Sequence, residues 1–293
     1  MIEVQNKSVQ CISASGLHQM AYREWGDADN PRVLVCVHGL TRVGNDFDAL
    51  ARAVCDQVRV VCPDVVGRGR SGRLANPALY QVPQYVSDMV TLLARVLKPD
   101  APQNVEWLGT SMGGLIGMGL ASLPNSPVSR LILNDIGPTL DRAAMLRIAD
   151  YLGKEMRFPT FAEGERYVRE ISQTFGPHSD EEWRKLAADV MHQLDDGQWG
   201  RNYDPGVAVP FATISEQTVE YGQAALWAAY DAIRCPVLLV RGEESDLLSR
   251  ETAQEMTRRG PKASLVELPG VGHAPMFQHE DQIALVRRFL DLK

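Results

Sequence analysis

Six short apolar runs alternate along the chain with segments that carry a helical pattern, and this alternation restricts the possible folds more than any other feature. The runs predict strands at residues 33–37, 58–62, 105–108, 131–133, 237–240 and 265–268. The intervening patterns predict helices at 46–54, 86–97, 112–122 and 251–259. Strands that are apolar almost throughout are typical of a parallel sheet covered by helices on both faces. We therefore predict an α/β fold, with an antiparallel edge hairpin at 8–13 and 19–25.

A long insertion interrupts the alternation. About a hundred residues separate the strand at 131–133 from the strand at 237–240, far more than one crossover helix needs. The stretch carries amphipathic helical patterns at 142–156, 161–175, 180–194 and 215–232. We predict a core formed by residues 1–137 and 233–293, with residues 138–232 inserted as a helical cap over one end of the sheet.

Ser111 stands between Gly109 and Gly113, directly after the apolar run 105–108. A very sharp strand-to-helix turn lifts a serine clear of its sheet and brings the residues two before and two after it into close contact, so only small residues fit there. A flexible strand-to-helix loop is the alternative interpretation. The pattern G-x-S-x-G between a strand and a helix predicts that Ser111 is a nucleophile.

A nucleophilic serine needs an imidazole base, and that base needs an acid to orient it. In sheets of this kind the three follow in the order serine, acid, histidine. His273 lies in the glycine-containing loop 269–275, just past the last predicted strand, and is the predicted base. Asp246, which follows the strand at 237–240, is the predicted acid. The rival acids are Asp135, Glu243 and Glu244.

Two backbone amides must stabilise the negative oxygen that develops during attack on a carbonyl. Met112, the residue after the nucleophile, is predicted to supply one of them. Leu40 is predicted to supply the other, because it follows a glycine turn at the end of the strand 33–37. His38 in the same turn is interpreted as a structural hydrogen-bonding residue.

These motifs together resemble the α/β-hydrolase family, in its lidded esterase and lactonase branch. The resemblance covers nearly the whole chain and rests on His38-Gly39-Leu40, residues 64–71 (DVVGRGRS), Gly109 to Gly113, Asp246 and His273. It implies a mostly parallel eight-stranded sheet, a Ser-Asp-His triad, oxyanion amides at Leu40 and Met112, and a cap formed by the insertion. One departure is an extra residue between Gly242 and Asp246, which keeps Glu244 and Asp135 as reserve acids.

Composition and motifs argue against several other classes of function. The net charge of -7, with 30 basic and 37 acidic residues spread along the chain, gives no basic stripe for nucleic acid. Residues 67–72 match G-x-G-x-x-G, but prolines at 77 and 83 break the helix that a dinucleotide site requires. With no metal-binding or phosphate-binding motif either, we predict no metal and no cofactor.

The chain begins without a basic and apolar leader pattern, and no run approaches ~18 apolar residues. Its five cysteines are an odd number, and Cys36, Cys62 and Cys235 lie in or beside predicted strands. We therefore expect a soluble, cytoplasmic protein with reduced thiols and no membrane partner. The oligomeric state is left open.

The predicted reaction is hydrolysis of a small carboxylic ester, thioester or lactone through an acyl-serine intermediate. A cofactor-independent lyase, perhydrolase or dioxygenase on the same fold is the alternative, and a small-molecule receptor with a vestigial triad is a third possibility. Two residues are candidates for substrate binding. Arg42 is expected to hold a substrate carboxylate, with pairing to Asp46 or Asp48 as the other interpretation, and Trp199 is expected to line the acyl pocket.

Overall fold

A computed structural model describes residues 3–98, 104–139, 142–213 and 215–293 of the chain. The strands are β1 (Gln5–Ser13), β2 (Gly16–Trp25), β3 (Val33–Val37), β4 (Arg59–Pro63), β5 (Val105–Thr110), β6 (Val128–Asn134), β7 (Arg157–Phe158), β8 (Met191–Gln193), β9 (Trp199–Arg201), β10 (Val237–Gly242) and β11 (Ser264–Leu268). The helices are α1 (Asp48–Val54), α2 (Val82–Val96), α3 (Met112–Ala121), α4 (Arg142–Tyr151), α5 (Phe161–Ile171), α6 (Asp180–Val190), α7 (Glu216–Ala232), α8 (Arg250–Met256) and α9 (Glu280–Leu290).

Eight of these strands form one sheet in the order β1-β2-β4-β3-β5-β6-β10-β11. The pairs from β4 to β11 are parallel, whereas β1 and β2 pair antiparallel with each other and β2 pairs antiparallel with β4. The predicted α/β fold with its mostly parallel eight-stranded sheet is therefore confirmed, and so is the hairpin at its edge.

The apolar strands are explained by burial on both faces of this sheet. In β3, the side chains of Val33, Val35 and Val37 pack into one apolar cluster, and those of Leu34 and Cys36 pack into the cluster on the opposite face. Successive strand residues point to opposite faces, so a strand covered on both sides favours apolar side chains along its whole length. The parallel arrangement also brings the carboxyl ends of β3, β5, β6 and β10 to one edge.

The segment between β6 and β10, residues 138–232, contains α4 to α7 together with a three-stranded antiparallel sheet in the order β7-β9-β8. This small sheet was not predicted, because strands of two or three residues are too short to show an alternating pattern. The helical pattern predicted to run to residue 194 ends at Val190, where β8 begins. Residues 140, 141 and 214 of the predicted cap lie outside the described residues.

Capping boxes fix where two of the inserted helices begin. The Thr160 side chain accepts a hydrogen bond from the backbone N–H of Glu163, whose carboxylate accepts from the backbone N–H of Thr160. Ser179 and Glu182 form the same reciprocal pair at the start of α6. Each box satisfies backbone donors that the first helical turn leaves unpaired. A serine or threonine followed three residues later by glutamate therefore encodes both helix starts.

The G-x-G-x-x-G segment at 67–72 forms a turn anchored by Asp64. This buried carboxylate accepts hydrogen bonds from the backbone N–H groups of Gly44 (2.8 Å) and Arg70 (3.0 Å). The turn continues into a short 3-10 helix at Pro77–Leu79. The segment therefore lacks the helix N-terminus on which a dinucleotide pyrophosphate would bind.

All five cysteines are free. Among the described residues, no helix combines the length and the apolar character that crossing a membrane would require.

The turn between β5 and α3 is packed too closely for side chains at its two glycines. A Cβ on Gly109 would lie 2.2 Å from the carbonyl oxygen of Gly113, and a Cβ on Gly113 would lie 2.0 Å from that of Val37. Ser111 between them adopts φ 52° and ψ −115°, a conformation that L-residues rarely adopt. The absence of side chains at 109 and 113 therefore allows α3 to start directly behind β5.

Gly113→Ala is expected to lower the free energy of unfolding by about 3 kcal/mol or more, because its Cβ meets rigid backbone atoms. Gly119→Ala in the same helix is the control, since its Cβ meets a side-chain methyl of Val86 at 3.1 Å. We expect that variant to stay within about 1 kcal/mol of the wild type. Urea unfolding of both variants measures the difference, and equal losses would contradict this account of the turn.

His38 connects the loops that follow β3 and β4. Its Nε2 accepts a hydrogen bond from the backbone N–H of Val65 (2.9 Å), and its Nδ1 donates to the carbonyl oxygen of Gly39 (2.7 Å). Burial of the ring lowers the pKa of His38 to about 4, outweighing the neighbouring carboxylates. The imidazole is therefore neutral at physiological pH and acts as a structural hydrogen-bonding residue.

Because the pKa of His38 falls from 6.5 in the unfolded chain to about 4 on folding, the unfolded state binds more protons between these pH values. Stability is thus lost as the pH falls through this window. Comparing wild type with His38→Gln, we expect the difference in their free energies of unfolding to shrink by about 2 kcal/mol from pH 7 to pH 5. Urea unfolding at both pH values provides the measurement; a constant difference would show that His38 is not held neutral.

Candidate active site

Ser111 lies at the carboxyl end of β5 and serves as the N-cap residue of α3. Its Oγ is 3.0 Å from Nε2 of His273. The start of α3 directs the first helical N–H groups toward the region around the serine, where they favour negative charge. The structure therefore brings the predicted nucleophile and the predicted base together.

His273 lies in the loop that follows β11, and its side chain is one quarter exposed. Nδ1 of the ring is 2.8 Å from Oδ2 of Asp135. An ionised carboxylate only accepts hydrogen bonds, so the ring carries its proton on Nδ1 and leaves Nε2 to accept from Ser111. Thr174, which belongs to the insertion, donates through its hydroxyl to the His273 carbonyl oxygen at 2.7 Å.

The acid against His273 is Asp135, so the prediction of Asp246 is wrong. Asp135 is fully buried at the end of β6. Besides His273, its carboxylate accepts hydrogen bonds from the backbone N–H of Gly242 at 2.9 Å and from the hydroxyl of Ser245 at 2.6 Å. Three donors thus replace the water that burial removes from the charge.

The choice between the two aspartates depends on turns that the sequence pattern does not specify. Strands β6 and β10 are adjacent and parallel, with Asn134 paired to Val240, so the residues after both strands emerge at the same edge. Asp135 has φ 53°, a left-handed turn, and its side chain meets the histidine. Asp246 instead lines the cavity above the serine. Glu243 and Glu244, the other rivals, do not contact His273 either.

The backbone N–H groups of Leu40 and Met112 have no hydrogen-bond acceptor within the described part of the chain. Met112 opens α3 immediately after the nucleophile. The Leu40 loop lies against the same residue, because a Cβ on Gly39 would come 3.8 Å from the Cβ of Ser111. The two donors are thus available beside the serine, and their role as an oxyanion hole stays a prediction.

A buried arginine that sequence reasoning missed connects these two residues. Arg68 donates through Nε to the carbonyl oxygen of Leu40 at 2.8 Å, and its Nη2 lies 3.5 Å from the sulfur of Met112. The guanidinium stacks against Tyr80 and Tyr85, with its carbon 5.7 Å and 5.1 Å from their ring centroids. An arginine between two glycines in a tight turn was the sequence signal that could have identified it.

A cavity of about 420 Å³ opens above Ser111 and His273. The core contributes the nucleophile, the base and the Leu40 loop to its lining. The insertion contributes a largely apolar wall consisting of Ile148, Tyr151, Val168, Ile171, Phe175 and Val190. The site is therefore formed between the sheet edge and the insertion.

The structure corrects the role predicted for Arg42. Its side chain lines the cavity, but Nε and Nη2 donate to the two carboxylate oxygens of Asp46 at 2.9 Å and 2.5 Å. Its guanidinium carbon also lies 5.7 Å from the ring centroid of Phe175. The bidentate edge that a substrate carboxylate would need is occupied, as in the alternative interpretation of pairing with Asp46.

Trp199 does not line the cavity, contrary to prediction. It lies in β9 and packs edge-on against Phe161, with ring centroids 5.0 Å apart. Both side chains pack against a separate apolar cluster that the insertion forms with Val43 of the core. A tryptophan in a long insertion is most often part of its core, and the pattern could not distinguish that role from pocket lining.

Within the described residues, one group of three possible metal-ligand side chains occurs away from the cavity lining: Cys11, His18 and Asp88. His18 Nε2 and Asp88 Oδ2 are already 3.0 Å apart, and Gln84 donates to the same carboxylate at 2.8 Å. Burial, with a smaller effect of the Asp88 charge, raises the pKa of the Cys11 thiol to about 12. Metal binding requires a thiolate, so these residues do not favour a metal.

Known proteins resemble this chain in sequence and in fold. The model of the alpha/beta hydrolase family matches residues 34–285. The chain is 57% identical over 284 residues to a 3-hydroxybutyrate-oligomer hydrolase from Cupriavidus necator, covering 96% of both proteins. It is 29% identical over 245 residues to an esterase from Mycobacterium tuberculosis, covering 80% of this chain and 73% of that protein.

Among solved structures, an alpha/beta hydrolase from Novosphingobium aromaticivorans superimposes with a TM-score of 0.84 at 33% identity, covering 99% of both chains. The family match spans most of the sheet and both sides of the insertion. The chain therefore belongs to the alpha/beta hydrolase family, in its esterase branch, and is a carboxylic ester hydrolase.

Proposed function

We propose that the chain hydrolyses esters formed between short hydroxy acids, such as oligomers of 3-hydroxybutyrate, through an acyl-serine intermediate. The observation that carries the mechanism is the unbroken hydrogen-bonded line from Ser111 Oγ to His273 Nε2 (3.0 Å) and from His273 Nδ1 to Asp135 Oδ2 (2.8 Å). The substrate class is supported by the 57% identity to a 3-hydroxybutyrate-oligomer hydrolase.

Acylation begins when Oγ of Ser111 attacks the ester carbonyl carbon and its proton passes to Nε2 of His273. The carbonyl oxygen becomes negative as the Oγ–C bond forms. When the intermediate collapses, the bond to the alcohol oxygen breaks and that oxygen takes the proton from Nε2. The products of this step are a free alcohol and an ester on Ser111.

Deacylation repeats the sequence with water. Nε2 of His273 takes one proton from a water molecule as its oxygen attacks the acyl-serine, and then returns the proton to Oγ of Ser111. One ester and one water thus give one acid and one alcohol. Asp135 keeps its charge throughout and stabilises the imidazolium that forms twice in the cycle.

The negative oxygen of both intermediates is assigned to the N–H groups of Leu40 and Met112. Preorganised donors of this kind contribute several kcal/mol, roughly 3 to 4 per donor, to the stability of the transition state. Arg68 holds the Leu40 carbonyl and contacts the Met112 side chain, so we assign it the role of fixing the two residues that carry these amides.

We assign the insertion the role of a cap that sets the size of the acyl group. Its apolar side chains form one wall of a cavity of about 420 Å³, a volume suited to small ligands. Hydrolysis of small esters is thus favoured over that of polymers. The relatives named as ester hydrolases favour this reaction over the lyase and receptor alternatives.

Replacing Ser111 by Ala is expected to reduce hydrolysis of p-nitrophenyl butyrate at least 1,000-fold, roughly the loss found when a triad member is removed, and to abolish labelling by a fluorophosphonate. Both outcomes follow because Oγ is the atom that forms the adducts. Ser122→Ala, at the other end of α3, is the matched control and should keep full activity. Retention of a tenth of the rate by Ser111→Ala would refute the assignment.

Asp135→Asn is expected to lower kcat about 10,000-fold, because an amide favours the wrong tautomer of His273. Asp246→Asn should lower it less than about tenfold, since a cavity-lining carboxylate does not act on the imidazole tautomer. Steady-state kinetics on p-nitrophenyl butyrate, with circular dichroism to verify folding, measure the two effects. The opposite ranking would restore Asp246 as the acid.

A further inference from the structure

Arg201, at the end of β9 in the insertion, borders the active-site cavity with donors that nothing in the described chain satisfies. Its Nε and Nη1 are buried and have no hydrogen-bond partner. The guanidinium forms no hydrogen bond or ion pair with any other described residue. Nη2, the third nitrogen of the guanidinium, also forms no hydrogen bond in the described chain but keeps accessible surface, so it is the donor that a ligand in the cavity can reach. A charged donor left without an acceptor beside the nucleophile favours an anionic ligand there.

Aromatic rings hold the Arg201 guanidinium in place. Its carbon lies 4.7 Å from the ring centroid of Tyr203, 5.9 Å from that of Tyr151 and 6.0 Å from that of Tyr167. Ring faces attract a cation but accept none of its N–H groups in the way that an oxygen does. The hydroxyl of Tyr203 is also buried without a partner. The surroundings therefore orient the arginine and leave its Nη2 available.

The other arginine of the described cavity lining is differently arranged. Arg42 has its bidentate edge on Asp46, so that pair is close to neutral. Asp246 also lines the cavity and forms no ion pair with Arg201. Arg201 is thus the cation of the described lining whose charge is not paired with a described carboxylate, and whose Nη2 is open to an acceptor. A carboxylate would accept from Nη2 and gain from the positive charge.

We infer that Arg201 binds the free carboxylate of the substrate's alcohol part, so that the preferred ester joins an acid to a hydroxy acid whose own carboxylate is free. This inference rests on the proposed function and specifies its substrate. In a linear dimer of a 3-hydroxy acid, the residue that leaves as the alcohol carries the free carboxylate. Arg201 would hold that end of the molecule while the ester carbonyl meets Ser111.

The test compares two substrates that differ only in this group: the linear dimer of 3-hydroxybutyrate, and the same dimer with its terminal carboxylate replaced by a primary amide. For Arg201→Gln we expect kcat/KM on the acid to fall roughly 30-fold or more, as is typical when a buried charge pair loses one partner. On the amide, we expect kcat/KM to change less than about threefold. Arg201→Lys should give an intermediate loss on the acid, since it keeps the charge but not the position of the Nη2 donor.

Arg184→Gln is the control for loss of one positive charge. Arg184 is an exposed arginine of the insertion that stacks on Phe161, with its guanidinium carbon 5.9 Å from the ring centroid, and it does not line the cavity. It should leave both substrates unaffected. Equal losses on the acid and the amide in Arg201→Gln would overturn the inference, because they would indicate a structural role.

If Arg201→Gln does not fold, the Arg201→Lys variant and an inhibition experiment test whether Arg201 binds the carboxylate. The alcohol product of the dimer, 3-hydroxybutyrate, should inhibit hydrolysis of p-nitrophenyl acetate by the wild type competitively, 3-hydroxybutyramide should not, and Arg201→Lys should weaken the inhibition by 3-hydroxybutyrate. Equal inhibition by the two compounds would overturn the inference. A wild-type enzyme that cleaves p-nitrophenyl butyrate but neither dimer would refute the proposed substrate class, a result distinct from failure of the arginine alone.

Discussion

The close approach of three backbone segments around Ser111 is the constraint on which the site depends. Gly109 and Gly113 have no Cβ, so the first turn of α3 lies against β3 and β5, and the Gly113 carbonyl accepts a hydrogen bond from the Trp107 indole at 3.1 Å. The serine is thereby held in a conformation that it would not adopt alone. Its Oγ projects from the sheet edge, and the amide of Met112 follows it. The projecting Oγ of Ser111 and the free amide of Met112 beside it are consequences of a single packing arrangement.

The second requirement is a charge buried behind the histidine. A carboxylate without water is unfavourable unless donors surround it, and Asp135 obtains two of them from the end of β10 and the loop that follows. Gly242 gives a backbone N–H and Ser245 gives a hydroxyl. The segment that contains Asp246, the predicted acid, therefore stabilises the charge of Asp135 after the neighbouring strand. Asp135 and Asp246 lie at the same edge of the sheet. The sequence motif therefore predicted an acid in the correct region but after the neighbouring strand.

Local patterns predicted the parts of the structure that local chemistry determines. The sheet, its edge hairpin and the positions of Ser111 and His273 follow from apolar runs and short motifs around each residue. Contacts between side chains that are far apart in the sequence do not follow from such local patterns. Asp135 and Asp246 follow adjacent strands. The left-handed turn at residue 135 accompanies the contact of the Asp135 carboxylate with His273. Likewise Arg42 has an acidic neighbour four residues along, whereas the environment of Arg201 is formed by tyrosines that are up to 50 residues away in the sequence.

The order of Ser111, Asp135 and His273 along the chain affects which parts of this fold can vary. Ser111 and Asp135 both precede residues 138–232 and stand on adjacent strands, whereas His273 follows those residues. Two members of the hydrogen-bonded line are thus fixed by the sheet before the inserted segment begins, and the third is placed by β11, after it has ended. The inserted segment can change in length and sequence without altering the spacing between serine and acid. Recombination at its two ends would exchange one wall of the cavity as a module and retain Ser111, Asp135 and His273.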